Sequence, residues 1–133
     1  MALFRRKPLD AEIADAKVAF RRVAAELDAA QRALLAAVPT ARHSAVPLSD
    51  ALSDFLAGLA RADALMPAWR TAKTEAVWIR CAEALGQSHA AAERLRDNAE
   101  PTLGFEELNA RLGDIIAVLE EFADAAAAIR RVH

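Results

Sequence analysis

The stretch LDAEIADAKVAFRRVAAELDAAQRALLAAV, residues 9–38, carries Leu9, Ile13, Ala16, Phe20, Val23, Leu27, Ala30, Leu34 and Ala37 at alternating intervals of four and three. At about 100° per residue, that rhythm sets all of them on one stripe of an α-helix and leaves the charged residues on the other side. The same rhythm returns near the end of the chain in Phe105, Leu108, Leu112, Ile115, Leu119, Phe122, Ala126 and Ile129. A third seam, Leu48, Leu52, Phe55, Leu59, Ala62 and Met66, lies between them. Long amphipathic helices joined by short loops pack with neighbours running opposite ways. The pattern therefore predicts an all-α fold, an antiparallel up-down-up-down four-helix bundle.

The punctuation sets the expected boundaries. Residues 1–7 read as a flexible basic tail, and 8–133 as one helical-bundle domain. Helix one is expected from Pro8 to Val38, roughly 45 Å long, with Pro39 stopping it. Residues 39–46 have loop composition, and Pro47 opens helix two. Pro67 removes a backbone donor and collides with the Asp63 carbonyl, so it either breaks the chain between helices two and three or kinks one long rod. A break fits better, because continuing the seam past Trp69 lands on Lys73 and Arg80. The rod would give a three-helix arrangement completed in a dimer. Helix three is expected over 68–98. Helix four begins with Gly104 as N-cap, Glu107 at N3 and a Leu103–Leu108 staple, and ends on Arg130 and Arg131. Gly58, Gly86 and Gly113 fall inside helices and mark candidate points of close helix approach.

The bulk composition narrows the function classes. At 133 residues the chain suits one domain with a sizeable core. About a quarter of it is Ala, so burial rests on the larger apolar residues. The net charge is −2 with both signs interspersed, which gives no basic stripe for nucleic acid. Cys81 is the single cysteine, so no internal disulfide forms and a reducing, cytoplasmic setting is expected. No apolar run is long enough to span a bilayer. The tail Ala2-Leu3-Phe4-Arg5-Arg6-Lys7 supports only weak contact with an anionic membrane surface.

Helix three does not resolve into one seam. Val77, Cys81, Ala84, Ser88, Ala91 and Leu95 share a face, with Leu85 at its edge. Trp69, Ala72, Ala76 and Ile79 form a second stripe, and Trp69 and Trp78, nine residues apart, point in nearly opposite directions. Either helix two folds back over the second stripe, or the stripe meets a second copy of the chain or another protein, or Leu3 and Phe4 cover it. These four residues are the candidate interface.

Chemistry is sparse. His43, His89 and His133 lack a second histidine at ligand spacing, so no metal site or cofactor is expected. A lone histidine on a four-helix bundle resembles the layout of histidine phosphotransfer domains. That family sets a Lys three positions after the His, where Ser88-His89-Ala90-Ala91-Ala92-Glu93 has Ala92. Cys81 reads as a core thiol. Enzymatic action would need a polar cluster gathered by folding, with Arg70, Thr74 and Ser88 as the group to watch. The expected function is a non-enzymatic interaction or structural module that self-associates as a dimer or binds another protein. The alternatives are a bundle that holds a small apolar ligand and a phosphotransfer-like signalling domain.

Overall fold

The computed structural model describes residues 9–41, 45–97 and 105–133. The elements are α1 (Leu9–Ala41), α2 (Ala45–Leu65), a 3₁₀ turn (Met66–Trp69), α3 (Glu75–Asp97), α4 (Phe105–Ala117) and α5 (Glu120–Arg130). The last two are successive halves of the fourth rod, and the fold is the four-helix bundle that the seams require. α1 packs on α2, α2 on α3, α3 on α4 and α5, and α5 closes the ring against α1. Cross-links show the antiparallel sense. Arg61 pairs with Glu26 while Gly58 faces Ala30, so residue numbers rise on α1 as they fall on α2. Ser88 meets Ile115 and Arg80 meets Glu121 in the same opposed sense.

The seams are the core. Ile13, Ala16, Phe20, Val23, Leu27, Ala30 and Leu34 are buried along α1. Leu48, Leu52, Phe55, Leu59, Ala62 and Met66 are buried from α2, joined by Leu56. Leu108, Leu112, Ile115, Leu119, Phe122 and Ile129 complete the fourth side, with Ala125 buried and Ala126 only partly so. Where charges remain outside, they behave as surface pairs do: Asp28 and Arg32 meet at 3.0 Å, both well exposed.

Several boundaries differ from those the sequence suggests. α1 continues through Pro39 to Ala41. A proline in the last turn removes one donor where the helix is already leaving carbonyls unpaired, so it need not stop the helix there. α2 starts at Ala45, which places Pro47 in a first turn whose N–H groups need no partner. Pro67 breaks the chain: α2 ends at Leu65 and α3 begins only at Glu75, seven residues later than position 68. The kinked rod and the three-helix arrangement are therefore ruled out. The fourth rod is interrupted at Val118–Leu119, where the Leu119 N–H reaches back three residues to the Ile116 carbonyl at 2.9 Å. The basic tail, the Gly104 cap and the Leu103 staple lie outside the described residues.

Only one of the three helical glycines marks a close approach. A Cβ on Gly58 would lie 2.8 Å from the Ala30 Cβ across the α1–α2 seam, whereas Gly86 and Gly113 face open space. Gly58→Ala should therefore destabilise the fold by about 1 kcal/mol, overpacking outweighing the gain in helix propensity. Gly86→Ala and Gly113→Ala should each stabilise it by up to about 1 kcal/mol. Urea denaturation of the three variants checks the opposite signs.

Candidate functional site

The segment 66–80 joins α2 to α3 and holds all four candidate interface residues. Trp69 is not on α3. It ends the 3₁₀ turn and is completely buried, its ring meeting Phe20 edge to face at 4.9 Å and 76°. Phe20 in turn stacks near Phe122 of α5 at 6.4 Å. The indole N–H, which would otherwise be a buried orphan donor, points to the Met66 sulfur at 3.3 Å. The candidate stripe is thus split. Trp69 belongs to the chain's own core, while Ala72, Ala76 and Ile79 stay outside, Ile79 at 42% exposure. The two tryptophans also do not diverge: the Trp78 indole donates to the Met66 carbonyl at 2.8 Å, so both close on the same turn.

The turn is stitched by two threonines. Thr71 N–H donates to the Thr74 hydroxyl at 2.8 Å, and Thr74 N–H donates to the Thr71 hydroxyl at 3.2 Å. This is the reciprocal pattern of a capping box with Thr in the second place. The Thr74 hydroxyl also donates to the Trp69 carbonyl at 2.7 Å, and the Thr74 carbonyl accepts from Trp78 N–H as α3 begins. Outside, Arg70 grips Glu75 with two hydrogen bonds of 2.9 and 2.6 Å and lies 4.1 Å over the Trp78 ring. That hydrogen bond, with the charge adding to it, holds the Glu75 carboxyl below its ordinary range.

Further along α3, Ser88 is buried and donates to the Ile115 carbonyl at 2.8 Å. The three-residue step at Leu119 takes away the donor that carbonyl would have in an unbroken helix, and Ser88 replaces it. Cys81 is buried two turns earlier on the same face, and burial pushes its thiol up to about 12, with Glu121 adding to the shift and Arg80 opposing it. Such a thiol stays protonated at neutral pH and is a poor nucleophile.

Arg70, Thr74 and Ser88 do not converge. Arg70 is outside on Glu75, Thr74 closes the turn, and Ser88 lies about 20 Å further along α3. His89 Nδ1 meets the Glu93 carboxylate at 2.8 Å, and Ala92 is fully buried. The imidazole is therefore engaged by a carboxylate, and the place of the cation holds a buried alanine. A polar groove of about 410 Å³ runs between α3 and the fourth rod, bordered by Glu83, Glu120, Glu121, Asp124 and Arg80. Among the described residues, no three His, Cys, Asp or Glu side chains gather to hold a metal ion. Nor is any described helix long and apolar enough to cross a membrane. Comparison with known proteins returns no matching family model, no matching curated protein and no matching solved structure.

The role of Thr74 is testable without altering side-chain volume much. Thr74→Val removes the hydroxyl that serves Thr71 N–H and the Trp69 carbonyl, and should destabilise the protein by about 2 kcal/mol, leaving a buried carbonyl and a partly buried N–H short of a partner. Thr74→Ser, which keeps the hydroxyl, should recover most of the loss in urea denaturation.

Proposed function

We propose that the chain is a non-enzymatic interaction module that self-associates through the exterior of the first half of α3. The observation that carries this reading is Ile79, a large apolar side chain left 42% exposed one turn after exposed Ala76, with exposed Ala72 in the turn that precedes α3. The two alanines add little bulk, so a partner helix can approach close to the α3 backbone and cover Ile79. Two ion pairs flank it, Arg70 with Glu75 and Arg80 with Glu121. A partner therefore meets an apolar ridge bordered by paired charges, which suits a central contact with a polar rim. A two-fold arrangement would set the same ridge against itself, the commonest form of self-association.

The test is the mass in solution. Light scattering after size exclusion should give about twice the 14.3 kDa chain mass for the wild type and the single-chain mass for Ile79→Asp, with unchanged helical circular dichroism. Leu35→Asp, at an exposed apolar residue on α1, should leave the dimer intact. A wild-type monomer at every concentration, or a dimer that survives Ile79→Asp, overturns the reading.

A further inference from the structure

The seam between α1 and the fourth rod holds two adjoining hollows, and its chemistry is graded from end to end. At one end Lys17 and Arg21, one turn apart on α1, and Arg130 on α5 surround a pit of about 130 Å³ floored by Phe20, Ala126 and Ile129. Lys17 Nζ makes one long contact, 3.4 Å, to the Arg130 carbonyl. Among the described residues, no carboxylate pairs with Lys17, Arg21 or Arg130. This sets them apart from Arg32, Arg61, Arg70, Arg80 and Arg111, each of which holds an acid. Three like charges gathered over an apolar floor repel one another until an anion joins them.

Ala126 also lines the adjoining hollow of about 280 Å³, whose walls include Ala24, Leu27, Leu119, Phe122 and Ala123. Asp28 and Glu120 border that second hollow. The seam therefore runs from unpaired cations, through an apolar trough, to Glu120 and the Asp28–Arg32 pair. From Arg21 to Asp28 the α1 surface spans about 10 Å, the reach of an alkyl chain of about eight carbons.

We propose that the α1–α5 seam is a binding site for a free single-chain anionic amphiphile of the fatty-carboxylate class. The carboxylate sits among Lys17, Arg21 and Arg130, and the alkyl chain lies over Ala126 in the trough. Glu120 sets the direction, since it repels a head group placed at the other end, where Asp28 is paired with Arg32. Glu120 also disfavours laying the whole seam on an anionic membrane, which selects a monomeric amphiphile over a bilayer. The site uses none of the α3 residues of the self-association reading and is independent of it.

Calorimetric titration of the full chain with decanoate, below its micelle concentration, tests this. Saturable one-to-one binding is expected. Arg21→Glu should weaken it at least tenfold through charge, and Ala126→Leu at least severalfold by filling the pit without altering charge. Decyltrimethylammonium, with a tail one carbon longer and the opposite head, should not bind. Arg21 is exposed, so its variant should keep the wild-type circular dichroism and melting curve. The proposal is overturned by the absence of saturable decanoate binding, by equal binding of the cationic amphiphile, or by indifference to both substitutions. Sedimentation with phosphatidylglycerol vesicles without binding of free decanoate also overturns it, and assigns the three cations to a membrane surface.

Discussion

Trp69 against Phe20 is the contact on which the bundle's connectivity depends. Pro67 makes a continuous helix costly, but a broken helix does not by itself say where the chain goes next. The buried indole supplies that direction. It pins the Met66–Trp69 turn to α1, and Phe20 passes the contact on to Phe122 of α5. Turn, first helix and last helix thus meet in one aromatic cluster, where edge-to-face geometry adds about 0.5–1.5 kcal/mol to the burial itself. α3 starts from a pinned end and returns antiparallel to α2. Without that anchor, α2 and α3 would form a rod of about 80 Å that one chain cannot cover.

The buried polar groups complete this frame. Thr74 and Ser88 are the two polar side chains buried among the described residues, and each serves a backbone group released by an interruption. Thr74 holds the turn after Pro67, and Ser88 holds the carbonyl freed where α4 gives way to α5. No buried side-chain nitrogen or oxygen is left without a partner among the described residues. A core satisfied in this way offers little spare chemistry, and the polar candidates read from the sequence are occupied in holding the backbone. What remains for binding is on the outside: the α3 ridge at Ile79 and the graded seam between α1 and α5.

The helical seams were legible because the spacing of Ile13 to Leu34, Leu48 to Met66 and Leu108 to Ile129 follows burial directly. The fate of Trp69 was not. Counting at 100° per residue carried the helix through 68–74, yet Pro67 and the Thr71–Thr74 pair together make a turn there. The signal was present as two threonines three apart, one of them in the place where a capping box usually has Glu or Gln. The break at Val118–Leu119 left no trace in the pattern, since Ile115, Leu119 and Phe122 keep their rhythm through a three-residue step. Of the four residues of the second stripe, Ala72, Ala76 and Ile79 are exposed and Trp69 is buried, because its position depends on a tertiary contact with Phe20. The α1–α5 site could not be read from one helix at a time, as Lys17 and Arg21 acquire meaning only when Arg130 is folded against them.

The most direct test of this account is the environment of Trp69 in a Trp78→Phe protein, where it is the only indole. The account predicts blue-shifted emission that acrylamide does not quench until the bundle unfolds. Emission typical of a water-exposed indole, quenched freely in the folded protein, would contradict it.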